Sequence, residues 1–260
     1  MHSQLIPGLP IQSFGLCVAI GVMLAWMVIE KLYKRPEASN LVFVLLISGL
    51  IGARLTHVIQ FWTEDGFDKN IMSSFEIWNG GLVFYGGLIA GALAFTIWCF
   101  IRKPDVLNLA DVLCVGIPLA HAFGRLGCFF HGCCWGKVSD SALAVTFPAH
   151  SPVWYAHRSS DYALRSISVL PTQLFEATAL IALFVVLLFI YKKFKGYTAA
   201  IYMMGYSIIR FFMEFLRDDP RPEMYGLSSA QNVSIILFVL GIAFFIWSYV
   251  RNAKFTSNNR

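Results

Sequence analysis

The chain has 260 residues, of which 57% are hydrophobic and only 13% are charged. This balance is typical of a membrane protein with several spans and excludes an ordinary soluble domain, in which about a quarter of the residues are charged. The formal net charge of +5 does not indicate nucleic acid, because most lysines and arginines stand between apolar runs, where they set orientation in a membrane. We therefore expect no nucleic-acid partner.

Seven apolar segments are each long enough to cross a bilayer, which requires about 20 helical residues. In chain order they cover residues 13–33, 41–61, 82–101, 109–130, 169–191, 197–215 and 229–250. The longest polar break, at about 131–168, follows the fourth segment. We predict an all-α polytopic membrane protein with seven transmembrane helices, in which residues 1–260 form a single transmembrane domain and 131–168 a small segment outside the bilayer.

The lysines and arginines between the predicted helices determine the expected orientation. Eleven of them follow odd-numbered helices, whereas six lie in the other connections. Cytoplasmic loops are enriched in these residues. The N-terminus is therefore predicted outside and the C-terminus in the cytoplasm, which places the segment at 131–168 on the outer face.

Three arginines, Arg54, Arg125 and Arg210, lie inside predicted helices. Each comes late in a helix that runs outward, so a rise of about 1.5 Å per residue places all three in the outer third of the bilayer. Glu176 and Tyr85 are predicted at the same depth, and the arginines outnumber the glutamates there. A charge at membrane depth needs a partner or a substrate, and the planar fork of arginine suits phosphate. The pattern predicts a site for a phospholipid headgroup.

Other interpretations stay open. Each arginine can instead extend to the membrane surface or cap a helix. Glu214 lies one helical turn from both Arg210 and Arg217, so it is able to pair with either, and Tyr206 shares this face. A non-catalytic lipid-binding or anion-binding protein, or a transporter, is a further alternative. The transporter is disfavoured because Asp111 stands alone near the predicted inner helix ends.

Three cysteines, Cys128, Cys133 and Cys134, cluster around the end of the fourth predicted helix. The spacing C-x2-H-x-C-C lacks the separated pairs of ordinary zinc sites, so we predict no metal and no cofactor. A disulfide between Cys128 and either of the other two is compatible with the outer face. Free cysteines that pack as small apolar side chains are the simpler alternative.

Short motifs along nearly the whole chain resemble, in the same order, those of the prolipoprotein diacylglyceryl transferase family. GRLGCFFHGCCWG at 124–136 is similar to the family signature GRxGNFxNxExxG, and GYSIIRFFMEFLR at 205–217 is similar to YGxxRFxxEFxR. Five further segments resemble family motifs: SFGL at 13–16 (WYGL), GARL at 52–55 (GGRIGY), FYGGLIAG at 84–91 (FHGGLIG), LPTQLFE at 170–176 (HPSQLYE) and LSSAQ at 227–231 (SMGQ). Their joint occurrence is specific, although each piece alone is not.

The resemblance implies an enzyme of the bacterial cytoplasmic (inner) membrane with its active site toward the outer leaflet. Such an enzyme moves the diacylglyceryl group of phosphatidylglycerol to the lipobox cysteine of a preprolipoprotein and releases glycerol phosphate. By this resemblance Arg125 and Arg210 neutralise the phosphate, and Tyr85 or His131 handles the thiol proton. Substrate-binding roles are implied for Arg54, Tyr206, Glu214, Arg217, Gly136 and Cys128.

The chain departs from the family pattern where protons are handled. Tyr85 stands in place of a histidine, Cys128 and His131 in place of two asparagines, and Cys133 in place of a glutamate. A phenol is a poorer base near neutral pH than an imidazole, so His131 or His121 is an alternative base. These changes keep open a second function on the same fold, in which a similar phospholipid donor serves a different acceptor.

Overall fold

The computed structural model describes residues 13–34, 36–64, 70–76, 81–160, 164–194, 196–219, 223–224 and 226–258. Over these ranges the chain forms eight α-helices, a short 3-10 helix and a two-stranded antiparallel hairpin. They are α1 Ser13–Tyr33, α2 Pro36–Gln60, the 3-10 helix Ile71–Phe75, α3 Phe84–Arg102, α4 Val106–His131, α5 Pro152–His157, α6 Thr172–Lys193, α7 Thr198–Glu214, β1 Glu223–Met224, β2 Leu227–Ser228 and α8 Ser229–Asn258.

Among the described residues, six helices are long and apolar enough to cross a membrane: α1, α2, α3, α4, α6 and α8. The prediction of an all-α polytopic membrane protein is therefore confirmed. The sixth predicted segment, 197–215, forms α7, which has 17 residues and is shorter than a usual span. The number of spans and the orientation of the termini stay predictions. Some basic residues used for that orientation lie outside the described residues: Arg35, Lys69, Lys195, Arg221 and Arg260.

The chain divides into two compact units, and the smaller one comprises residues 30–109. Its helices α2 and α3 pack closely because glycines face each other. A Cβ added to Gly52 would lie 2.6 Å from the carbonyl oxygen of Gly86, and it would also overlap Ala90. Small residues at a helix contact let the backbones approach in this way.

The larger unit comprises residues 1–29 and 110–260. Within it, α1 packs on α4, where a Cβ on Gly21 would lie 3.0 Å from the carbonyl oxygen of Ala120. Helix α6 packs on α7 through Leu183, whose Cδ1 would lie 2.7 Å from a Cβ on Gly205. Helix α8 covers α7 at Gly241. These contacts bring one end of α4, α6 and α7 together.

Asp111 links the start of α4 to the start of α7. Its carboxylate is 2% exposed and accepts hydrogen bonds from the backbone N–H groups of Gly196, at 2.7 Å, and Ala199, at 2.9 Å. The first N–H groups of a helix have no partner within the helix, and a carboxylate satisfies them. Asp111 therefore has a structural role as a helix cap. This role accounts for a buried carboxylate at this position, and no polar path across the membrane is needed to explain it.

The residues between α4 and α6 fold over a small apolar core of their own. Trp135, Phe147, Val153 and Val169 are buried in it. Val145 exchanges two backbone hydrogen bonds with Val169, at 2.9 and 3.0 Å. Backbone hydrogen bonds at 136–137 join this segment to residue 170 before α6 and to residue 216 after α7. The chain that leaves α4 is thus fixed beside the same ends of α6 and α7.

Candidate functional site

A buried ion pair joins α4 to α6. Arg125 Nη2 lies 2.9 Å from Oε1 of Glu176, which is 1% exposed. The two atoms are close, but the angles do not meet hydrogen-bond geometry: Glu176 Oε1 has no hydrogen-bond partner among the described residues. The buried Nε of Arg125 likewise lacks an acceptor there. Buried polar atoms are nearly always satisfied, so Arg125 keeps donor capacity for a ligand.

A second buried pair lies on one face of α7. Arg210 Nη2 lies 2.6 Å from Glu214 Oε2, and the two residues are 6% and 9% exposed. This is one of the two pairings that the sequence left open for Glu214. Arg210 Nη1 is buried and has no hydrogen-bond partner within the described part of the chain. Arg210 is also within electrostatic range of Glu176 and Arg125.

The cluster formed by Arg125, Arg210, Glu176 and Glu214 carries two positive and two negative charges. Within this cluster each arginine has its own buried carboxylate. Such pairing offsets the cost of taking the charges out of water. The positive excess predicted from the sequence also counts Arg54, which belongs to the smaller unit, and it stays a prediction. The two unused guanidinium nitrogens remain available to an anion.

The histidine beside the cluster is His121. Its Nε2 lies 4.0 Å from Oε1 of Glu176, and its ring centre lies 5.4 Å from that of Tyr206. Tyr206 in turn stacks on Tyr202. His131 is exposed at the last residue of α4. Of the two histidines considered as bases, the structure thus places His121 against the arginine–glutamate pair.

Arg217 and Gly136 form the adjoining edge of the site. Arg217 is 7% exposed and contacts both carboxylate oxygens of Asp219 at 2.8 Å. Burial alone would lower the pKa of Arg217, but the hydrogen bond to Asp219 and the neighbouring Cys134 raise it above the ordinary arginine value. A Cβ on Gly136 would lie 2.7 Å from Cγ2 of Thr172. Close packing therefore requires glycine at 136.

The sulfur atoms of Cys128, Cys133 and Cys134 lie within 4.8 Å of one another, and all three residues are free, half-buried cysteines. Hydrogen bonds from the other two thiols lower the pKa of Cys134, and the charges of Arg217 and Arg125 act in the same direction. Hydrogen bonds with its two neighbours raise the pKa of Cys133. The disulfide considered from the sequence is not formed, and Cys134 is the thiol most readily ionised.

Two polar residues in the first turn of α6 support the cysteines. Gln173 Nε2 donates to the carbonyl oxygen of Cys133 at 2.7 Å, and Thr172 Oγ1 donates to that of Cys134 at 2.9 Å. Both side chains are almost fully buried. Neither residue was predicted as part of the site, although polar residues at the start of an apolar helix were the available signal.

Two predicted site residues belong to the smaller unit. Arg54 is 9% exposed and donates to the carbonyl oxygens of Ser73 at 2.7 Å, Ser74 at 2.7 Å and Gly81 at 3.1 Å. Its guanidinium thus binds the end of the 3-10 helix and the start of the chain leading into α3. Tyr85, in the first turn of α3, is 55% exposed. The predicted convergence of three arginines stays a prediction.

These features define an α-helical membrane protein with a buried arginine–glutamate cluster at one end of α4, α6 and α7. The sequence model of the family described as prolipoprotein diacylglyceryl transferase matches residues 2–247. The chain therefore belongs to the prolipoprotein diacylglyceryl transferase family, as its motifs predicted.

Relatives align with the chain over nearly its full length. The chain is 34% identical over 256 residues to phosphatidylglycerol–prolipoprotein diacylglyceryl transferase 2 of Clostridium perfringens (strain 13 / Type A), covering 96% of this chain and 95% of that protein. It is 31% identical over 248 residues to the corresponding transferase of Clostridium tetani (strain Massachusetts / E88), covering 92% and 93%. The transferase of Burkholderia thailandensis is 30% identical over 277 residues, with 94% and 92% covered.

Proposed function

We propose that this protein is a phosphatidylglycerol–prolipoprotein diacylglyceryl transferase of the bacterial cytoplasmic membrane. It moves the diacylglyceryl group of phosphatidylglycerol to the lipobox cysteine of a preprolipoprotein. Family membership and full-length similarity to proteins of that name support the reaction. The structural observation that carries the proposal is the pair of buried guanidinium nitrogens, on Arg125 and Arg210, that lack acceptors among the described residues.

The proposed topology is one transmembrane domain with seven spans, the N-terminus outside and the C-terminus in the cytoplasm. Helix α7 is the shortest span, about 26 Å long at the usual helical rise. In this orientation the ends of α4, α6 and α7 that carry the arginine–glutamate cluster face the outer leaflet. The segment at 131–168 then lies on the outer face, where an exported acceptor arrives.

The donor phosphate is proposed to bind between Arg125 and Arg210. Each guanidinium is oriented by a glutamate, which leaves Arg125 Nε and Arg210 Nη1 to donate to phosphate oxygens. Donors that are already in place in a dry site stabilise developing charge without reorganisation. Tyr206, Gly136 and Cys128 are proposed to line the headgroup site, with Glu214, Arg54 and Arg217 in support.

An apolar groove between α7 and α8 supports a lipid donor. The cavity measures about 230 Å³ and begins one helical turn from Arg210. The residues that line it are Ser207, Ile208, Phe211, Phe212, Ser234, Ile235, Phe238 and Val239. An acyl chain fits this lining, because its burial is favourable against apolar side chains.

The reaction proposed is a displacement at the glycerol carbon that carries the phosphate. The acceptor thiolate forms a C–S bond there, the C–O bond to phosphate breaks, and its electron pair leaves with glycerol phosphate. The thiol proton passes to a base, for which Tyr85, His131 and His121 are the candidates. Arg125 and Arg210 stabilise the negative charge that grows on the leaving group.

The test is an assay of the purified protein with phosphatidylglycerol in detergent micelles and a peptide that contains a lipobox cysteine. Mass spectrometry measures the modified peptide, and a coupled assay measures glycerol phosphate. The proposal predicts that both products form in equal amounts. Arg125→Ala is expected to reduce both by at least about 100-fold, as removal of one charge-stabilising donor does in other enzymes.

Arg251→Ala is the matched control, because Arg251 is exposed on α8 and lies over the ring of Trp247. It is expected to retain activity. Full activity of folded Arg125→Ala protein contradicts the proposed mechanism. Glycerol phosphate release without peptide modification assigns a different acceptor to the same fold, and lipid binding without turnover assigns a non-catalytic lipid-binding protein.

A further inference from the structure

We propose that Cys128, Cys133 and Cys134 form a three-thiolate site for a thiophilic metal ion such as Zn²⁺, with one coordination position open to the acceptor thiol. The three sulfur atoms lie within 4.8 Å of one another. The sulfurs of a tetrahedral zinc site lie about 3.8 Å apart, as Zn–S bonds of about 2.3 Å require. Small side-chain rotations therefore bring the cluster to zinc geometry.

The end of α4 brings the cysteines together. Gly132 (φ +79°) and Cys134 (φ +63°) both adopt the left-handed conformation. The backbone N–H groups of Gly132 and Cys133 both donate to the carbonyl oxygen of Cys128, at 2.9 and 3.2 Å. The chain thereby turns back over the last turn of α4. A non-glycine residue in this conformation is strained, and such strain collects at functional sites.

Residues outside the cluster hold two of the proposed ligands in place. Gln173 fixes the backbone of Cys133, and Thr172 fixes that of Cys134, through the buried hydrogen bonds described above. Metal sites need this outer support, because it sets the direction of each ligand before the ion binds.

The charges around the cluster suit a bound complex. Three thiolates with one divalent ion carry a net charge of −1. Arg217 is within electrostatic range of Cys134, and Arg125 precedes Cys128 by one turn on the same helix face. Both arginines therefore stabilise an anionic metal–thiolate complex.

The site offers three protein ligands. Among the described residues, no further histidine, cysteine, aspartate or glutamate completes the group. Zinc sites with three protein ligands keep the fourth position for water or substrate. The three cysteines are half-buried, so the cluster is partly exposed at the surface.

The role of the fourth position rests on the proposed function, in which the acceptor is a thiol. A thiol that binds Zn²⁺ loses its proton to solvent and is held as a thiolate. Its sulfur then forms the C–S bond to the donor, while the C–O bond breaks and the electron pair leaves with glycerol phosphate. The metal is neither oxidised nor reduced. The family pattern has a histidine at the position of Tyr85. A bound metal would take over the activation of the acceptor thiol from that histidine.

The test measures metal directly, without reference to activity. Protein purified under reducing conditions and loaded with Zn²⁺ is expected to hold about one ion per chain by elemental analysis. Loading with Co²⁺ is expected to give sulfur-to-metal charge-transfer absorption. Cys133→Ser is expected to lose both signals, whereas Cys99→Ser, a half-buried cysteine in α3, keeps them.

A measurement on the unaltered protein covers the case in which Cys133→Ser does not fold. Zn²⁺ is expected to protect Cys128, Cys133 and Cys134 from alkylation, as read by peptide mass spectrometry. Absence of metal uptake, unchanged alkylation, or a native disulfide among the three cysteines overturns the metal site.

Addition of lipobox peptide is expected to shift the Co²⁺ spectrum, whereas a peptide with serine in place of its cysteine has no effect. An unchanged Co²⁺ spectrum overturns the proposed binding of the acceptor thiol to the metal. Metal binding without any transferase activity supports the metal site and contradicts the proposed function.

Discussion

Arg125 and Glu176 join α4 to α6 through a contact of 2.9 Å between Nη2 and Oε1, and the carboxylate is 1% exposed. A carboxylate this deeply buried stays ionised only beside a positive partner. In the proposed donor complex the guanidinium has two anionic neighbours, the carboxylate and the lipid phosphate. When no donor is bound, the carboxylate of Glu176 alone balances the positive charge of Arg125.

Glu176→Gln is expected to destabilise the donor-free protein by about 3 kcal/mol, because it leaves the buried charge of Arg125 unpaired. The phosphate of bound phosphatidylglycerol supplies the missing charge. Thermal unfolding in detergent is therefore expected to show a loss in Tm that phosphatidylglycerol restores and that a neutral diacylglycerol does not. An equal loss of Tm with both lipids would indicate that Glu176 stabilises the fold without regard to the donor.

Gly136→Ala is expected to reduce the free energy of unfolding by about 2 kcal/mol, as overpacking of a buried site does. The new Cβ would meet Thr172 at 2.7 Å and the carbonyl oxygens of Leu170 and Leu216 at 2.8 Å. Gly124→Ala is the control, since its Cβ has nothing within 4 Å. Denaturation of both variants measures the difference, and equal stability would refute the packing role.

Asp111→Ala is expected to cost about 1–2 kcal/mol of stability, the usual loss for a removed helix cap. Asp111→Asn keeps one acceptor and should lose less. Both variants are expected to bind phosphatidylglycerol as the unaltered protein does, because the carboxylate contacts Gly196 and Ala199 at the far end of α7 from Arg210. Loss of lipid binding at unchanged Tm would assign Asp111 to the substrate path.

Arg54→Lys separates two roles of this arginine. Lysine keeps the charge but lacks the planar fork that contacts Ser73, Ser74 and Gly81. Hydrogen exchange is expected to accelerate at residues 70–76, with exchange in α6 unchanged. Unaltered exchange at 70–76 together with weaker lipid binding would indicate that Arg54 acts mainly on the phosphate.

The membrane helices were predictable because about 20 consecutive apolar residues have few other stable arrangements. The bridge between Val145 and Val169 was not, since a pairing between distant segments leaves no local signal. The position of Arg125 late in α4 was also predictable from the apolar run, but its pairing with Glu176 was not. That contact depends on how α4 rotates against α6.

The three cysteines were visible as a cluster in the sequence, but the close approach of their sulfur atoms was not predictable. Spacing alone separates Cys128 from Cys133 by more than a helical turn, and only the left-handed turn after His131 folds the chain back. The same turn leaves His131 exposed, whereas His121 remains inside α4 beside Glu176. A helical pattern places His121 near Arg125, but it does not tell where the helix ends.

The most direct test of the proposed function is an experimental structure of the protein with phosphatidylglycerol bound. We predict a phosphate oxygen within about 3 Å of both Arg125 Nε and Arg210 Nη1, the usual hydrogen-bond distance. An acyl chain is expected along the groove between α7 and α8. A phosphate bound elsewhere, with these two nitrogens covered by protein atoms, would contradict the proposal.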